Sequence, residues 1–246
     1  DTTWNNVAWQ LDNSMLGFDK FTSLVSWSNM AGNHDYDWSK TSRDSSMYQS
    51  YFGKDYIMRT KAADTYAGSY EDPAGISTTE NSYYRFDVNG EKWMILQLEY
   101  YPRRSVVAWA KTILEQYPLD NVIFTTHGYI NGNGAYCGEG RSCFKDGDGE
   151  DRLGDNTAYI WEQLKDYSNI KLILCGHSTN GTGAIIQKNE INSNGDTVPA
   201  LMINAQDLED LDSGYFTGKA LGMLSILRFS KDGTKVDVQY FSPQYG

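Results

Sequence analysis

Residues 24–35, LVSWSNMAGNHD, decide how we interpret the fold, because an apolar segment runs directly into a tight polar turn. Leu24–Trp27 is predicted to be a strand that leads to the turn at residues 32–35. Residues 121–127, NVIFTTH, and residues 170–177, IKLILCGH, repeat this order of apolar strand and terminal His. Ligands collect beyond the carboxyl ends of strands in open α/β sheets. We therefore expect His34, His127 and His177, which are the only histidines, to lie close together.

The chemistry of the turn at residues 32–35 adds to this expectation. Asn33, His34 and Asp35 place an amide oxygen, an imidazole and a carboxylate next to one another. The amide oxygen suits a metal ligand, and the imidazole suits a proton donor that the neighbouring carboxylate orients. Any one of the three histidines, taken alone, is more simply a loop residue hydrogen-bonded to backbone. Their shared position after apolar strands favours one common site.

The spacing of apolar residues predicts a single α/β domain over residues 1–246. Ala8, Leu11, Met15 and Phe18 recur at helical spacing, as do apolar residues between 106 and 117. Residues 83–88 and 93–98, joined by Asn89-Gly90, form a strong hairpin signal. Later segments are rich in strands. Strands that first alternate with helices and then dominate predict a layered sandwich of two β-sheets flanked by helices.

Composition and cysteine usage limit the partners and the compartment. The net charge of −11 argues against nucleic acid as a partner, and no apolar run has the ~18–20 residues that span a bilayer. Cys137 and Cys143 flank a short polar loop and are predicted to form a disulfide, whereas Cys175 is predicted to be a buried thiol. This pair favours a secreted, extracellular or periplasmic setting. Asn180 begins a sequence suited to N-glycosylation.

The GNHD turn, the lone His127 after a strand and the Gly176-His177 pair occur in an order that resembles the calcineurin-like metallophosphoesterases. Residues 98–102, LEYYP, and 204–206, NAQ, resemble secreted bacterial members. The resemblance implies the two-sheet sandwich of that family and a metal site formed by Asn33, His127 and His177. It also implies that His34 acts either as a general acid or as a stabiliser of the leaving oxygen, and that Asp35 orients it.

The sequence also departs from the pattern of that family. The family's first strand, with its D-x-H motif, has no counterpart. Asp1, without the Gly that precedes it in the family, resembles the metal-bridging Asp and is a fourth candidate ligand beside Asn33, His127 and His177. Ser178 and Thr179 follow His177, where the family has a further His. We therefore expect one divalent transition metal, zinc, manganese or iron, rather than two.

Two functions follow from the resemblance and its departures. The first is a metal-dependent phosphoesterase that hydrolyses a small phosphomonoester or phosphodiester, weakly because one metal site is lost. The alternative is a catalytically degenerate member that serves as an extracellular structural or assembly subunit, including one that forms filaments. Since loss of the first strand would leave backbone groups unpaired, we expect self-association or a bound N-terminal fragment.

Overall fold

The computed structural model describes residues 2–36, 45–138, 156–178, 183, 185–205, 223–231 and 234–242. It is a mixed α/β structure with two β-sheets and helices. The helices are α1 (Thr2–Phe18), α2 (Ser46–Phe52), α3 (Lys54–Ile57), a 3-10 helix (Lys61–Asp64), α4 (Arg104–Gln116) and α5 (Ala158–Leu164). No helix in these ranges is long and apolar enough to cross a bilayer.

The larger sheet has seven strands in the order β1-β2-β3-β4-β5-β7-β6. They are β1 (Tyr66–Glu71), β2 (Ser77–Val88), β3 (Glu91–Leu98), β4 (Asn121–Thr126), β5 (Ile170–Cys175), β6 (Ile186–Ile191) and β7 (Thr197–Met202). Strands β3, β4, β5 and β7 are mutually parallel, and the outer pairs are antiparallel. The parallel centre brings the carboxyl ends of four strands to one edge.

Three apolar clusters cover the larger sheet and its flank. Helices α4 and α5 pack on one face through residues that include Val107, Leu114, Ile160 and Leu164. A hairpin of β8 (Leu224–Phe229) and β9 (Val236–Phe241) packs on the other face, where it contacts Ile123, Leu172 and Leu201. The third cluster joins α1 and α2 to the chain before residue 36 through Leu11, Trp27, Ala31, Tyr36, Tyr48 and Phe52.

Most elements that the sequence predicts are present. Asn89 and Gly90 both have positive φ, 54° and 88°, as a two-residue hairpin turn with the right twist requires. The Asn156 side chain accepts a hydrogen bond from the Ala158 N–H at 3.0 Å, just before α5 begins. The amphipathic helices α1 and α4 and the strands β4 and β5 are also confirmed.

The predicted strand at Leu24–Trp27 is wrong. The N–H groups of Leu24 and Val25 donate to the Phe21 carbonyl, so these residues continue the turns that follow α1. Leu24 is 72% exposed and Val25 is 53% exposed, and neither packs in a sheet. The apolar run therefore extends the helical turns, and only Trp27 at its end is buried.

Candidate functional site

Parallel pairing of β4 and β5 brings two of the histidines together. His127 follows the last residue of β4, and His177 comes two residues after β5. The Gly176 N–H donates to the His127 carbonyl at 2.9 Å and joins the two strand ends. The pairing of these two strand ends therefore places the two histidines next to each other.

Asn33 reaches the same edge on the segment after α1. Buried Ala31 and Tyr36 anchor this segment on either side of the turn. Its Asn29 carbonyl accepts hydrogen bonds from the Gln97 amide on β3 and from the Tyr48 hydroxyl on α2. The segment is thus held to the sheet without belonging to it.

Asn33, His127 and His177 form a compact triangle of donor atoms. The Asn33 Oδ1 atom lies 2.9 Å from His127 Nε2 and 3.2 Å from His177 Nδ1, and the two nitrogens are 3.2 Å apart. These contacts cannot all be hydrogen bonds, because the oxygen carries no proton and each nitrogen carries at most one. At least one side of the triangle therefore joins two lone pairs or two N–H groups.

The triangle has the dimensions of a metal-ligand set. Donors ~2.1 Å from a common metal lie ~3.0 Å apart on an octahedral face and ~3.4 Å apart in a tetrahedron. The observed separations of 2.9–3.2 Å lie around the octahedral value and below the tetrahedral one. Within the described residues, no three His, Cys, Asp or Glu side chains form such a group. The set is two imidazoles and one amide oxygen, which suits a borderline divalent transition metal.

Burial keeps His127 neutral. Burial, together with smaller effects of the nearby His177 and His34, lowers the pKa of His127 to about 4. A neutral imidazole at physiological pH offers a lone pair at one nitrogen. His127 can therefore act as a ligand without first losing a proton.

Tyr100 contacts the side of the His177 ring that faces away from the triangle, and the sequence analysis did not predict this contact. Its hydroxyl lies 3.1 Å from His177 Nε2, on the opposite side of the ring from Nδ1. Its ring also packs against both imidazoles, with centroids 4.9 Å from His177 and 5.4 Å from His127. Ligand histidines commonly bond a second group in this way, which fixes the ring and its tautomer. Tyr100 follows β3, a parallel neighbour of β4, so the rule that drew attention to the histidines also applies to it.

The backbone at the site is unusual in two places. His177 has a φ of 61°, in the left-handed region that non-glycine residues seldom occupy. Residues in such conformations cluster at functional sites. A Cβ atom on Gly32 would lie only 3.1 Å from His127 Cε1, so glycine permits the close approach of the two chains.

His34 and Asp35 lie beside the triangle rather than in it. His34 is exposed and lines the same cavity as Asn33, His127 and His177. Asp35 Oδ2 accepts a hydrogen bond from the Gly32 N–H at 2.7 Å, which stabilises the turn. Burial raises the pKa of Asp35, and this hydrogen bond opposes the rise. The orienting role of Asp35 stays a prediction.

Of the remaining residues that the sequence singled out, the structure describes two cysteines, Cys137 and Cys175. Asp1, Cys143 and Asn180 lie outside the described residues. Cys137 is buried, with its sulfur 3.5 Å from the Ser178 hydroxyl, and its pairing with Cys143 stays a prediction. Cys175 is buried as predicted, and burial raises its pKa to about 12.

A cavity of about 750 Å³ opens from the triangle along the sheet face that β8 and β9 partly cover. Its size is within the usual range for small-molecule sites. No protein-family model matches the chain. No curated protein gives a significant match to it either. The donor triangle and its cavity therefore stand as the basis for a functional hypothesis.

Proposed function

We propose that the chain is a calcineurin-like phosphoesterase that depends on a divalent transition metal. The observation that carries the proposal is the donor triangle of Asn33, His127 and His177 at the head of a cavity of about 750 Å³. The same three residues are the ligands that the sequence resemblance implies. Zinc, manganese or iron bound there would supply Lewis-acid polarisation of a phosphoryl oxygen.

The chain's own residues supply positioning and proton transfer. Asn33 and the two imidazoles would hold the metal at the carboxyl edge of the sheet, where the reacting end of the substrate would lie. His34 lines the same cavity and is the proposed proton donor to the leaving oxygen. Tyr100 holds the His177 ring through the contact at Nε2. Thr179, which stands in the sequence where the family has its next imidazole, is the reason for proposing one metal.

Metal-dependent hydrolysis of nitrophenyl phosphate esters tests the proposal. Protein loaded with Mn²⁺, Zn²⁺ or Fe²⁺ should release nitrophenol, and Asn33→Ala should bind less metal and lose most of that activity. Asn13→Ala is the matched control, because Asn13 is exposed on α1 and its side-chain amide donates to the Trp9 carbonyl within the same helix. No hydrolysis by folded protein with any of these metals would contradict the proposal.

The second candidate is a non-catalytic assembly subunit, and exposed apolar residues favour it. Trp9 and Leu16 lie on one face of α1, seven residues apart, and are 67% and 68% exposed. Leu24 is 72% exposed. Large apolar side chains along one surface are typical of association sites. A second copy of the chain is the proposed partner, in a secreted or periplasmic setting, and a 27.8 kDa species at every concentration in sedimentation would contradict it.

A further inference from the structure

The floor of the cavity is a row of side chains across the parallel strands. Gln97, Thr125 and Leu174 occupy directly opposed positions on β3, β4 and β5, so they share one face of the sheet. Neighbouring strands lie ~4.8 Å apart, which makes this row ~10 Å wide. Ile203 extends the floor beyond β7, and its N–H donates to the Cys175 carbonyl. A ligand held at the donor triangle therefore has room for an organic group over the sheet.

The floor and one wall are partly aliphatic. Leu174, Ile203 and Met30 all line the cavity and are half-buried. Leu174 and Ile203 also pack in the apolar cluster with β8 and β9, and the part of their surface that lines the cavity is open to a ligand. Each Å² of such surface removed from water contributes ~25 cal/mol. An ester group with an aliphatic or aromatic portion fits this surface better than a purely charged one.

The polar part of the lining is neutral apart from the histidines. Asn29, Gln97, Thr125 and Asn204 contribute amides and a hydroxyl, and none of the described lining residues is Lys or Arg. The chain as a whole has a net charge of −11. A phosphomonoester has a second pKa near 6 and carries a charge of about −2 above neutral pH. A phosphodiester carries a single negative charge and needs less compensation.

We propose that the substrate is a phosphodiester with at least one apolar ester group, rather than a phosphomonoester. The inference rests on the proposed phosphoesterase function and adds the class of ester to it. The phosphoryl group would lie beside the metal that the donor triangle holds, and the floor formed by Thr125, Leu174 and Ile203 would take one ester group. Among the described residues, this floor has no Lys or Arg that could neutralise the second charge of a phosphomonoester.

A comparison of two esters with the same leaving group tests the inference. Mn²⁺-loaded protein at pH 8 should hydrolyse bis(4-nitrophenyl) phosphate with a kcat/KM about tenfold or more above that for 4-nitrophenyl phosphate. Thr125→Lys adds a cation to the floor and should move this ratio about tenfold toward the monoester. Thr125→Met, of similar length but uncharged, should keep the diester preference. Far-ultraviolet circular dichroism checks that both variants fold.

The outcomes separate the inference from the function on which it rests. Faster hydrolysis of the monoester by the unmodified protein overturns the inference and leaves the phosphoesterase function standing. Hydrolysis of neither ester, with any of the three metals, overturns both. An unchanged ratio in folded Thr125→Lys overturns the role given to the uncharged floor. If Thr125→Lys does not fold, the comparison of the two esters by the unmodified protein still decides the inference.

Discussion

Gly32→Ala should weaken metal binding by moving one ligand without removing it. The added Cβ would lie 3.1 Å from His127 Cε1 and 3.3 Å from Nε2. Carbon atoms in contact are ordinarily ~3.5–4.0 Å apart, so the ring must move by ~0.4 Å or more. Nε2 is the atom that forms the triangle, and the Gly32 N–H bond to Asp35 survives the substitution. Changes that misplace a ligand typically lower metal affinity ~10–100-fold.

Calorimetric titration of the metal-free protein with Mn²⁺ measures this effect. Gly17→Ala is the matched control, because a Cβ at Gly17 in α1 meets nothing within 4 Å. That variant should bind Mn²⁺ as the unmodified protein does, and its free energy of unfolding should rise by ~0.5–1 kcal/mol. Wild-type affinity in Gly32→Ala would refute the assignment of His127 Nε2 as a ligand.

Three further predictions concern the proton donor, a buried carboxyl and the cysteines. His34→Ala should lower kcat for ester hydrolysis ~10²–10⁴-fold, and an unchanged kcat would remove its proposed role. Burial raises the pKa of Glu80 from 4.5 to about 7. Because the folded pKa exceeds the unfolded one, the folded state holds an extra proton between these values and stability falls as pH rises through that window. Glu80→Gln should reduce the loss of unfolding free energy between pH 5 and pH 8 by about 2 kcal/mol in urea titrations, and equal losses would contradict this. Alkylation before reduction should leave Cys137 and Cys143 unlabelled and label Cys175 once the protein is unfolded, whereas labelling of all three would exclude the disulfide and weaken the secreted assignment.

Elements with one dominant local signal could be predicted from the sequence. Asn89-Gly90 specifies its hairpin turn through two positive φ angles, and β4 and β5 each contain a run of apolar residues, at 122–124 and 172–175. Leu24–Trp27 gave a misleading signal, because an apolar run does not show whether its N–H groups will find a strand partner. Here the N–H groups of Leu24 and Val25 are already bonded to the preceding turn.

The site residues that directly follow parallel strands could be predicted from the sequence. The contacts that depend on side-chain packing could not. His127 and His177 follow neighbouring parallel strands, so their proximity follows from sheet order. The contact of Tyr100 with His177, and the close approach of Gly32 to His127, depend on how rings and backbone pack in three dimensions. The position of Tyr100 after β3 could have marked it as a candidate, but its ring contact with His177 could not be predicted from that position.

The metal content of the purified protein tests the central claim most directly. Elemental analysis after dialysis against metal-free buffer should find about one equivalent of zinc, manganese or iron per chain. The same analysis of His177→Ala should find almost none, since that substitution removes one corner of the triangle formed with Asn33 and His127. Two tightly bound equivalents would mean that further ligands complete a second site. A folded chain that binds none of these metals, even when they are supplied in excess, would contradict the account.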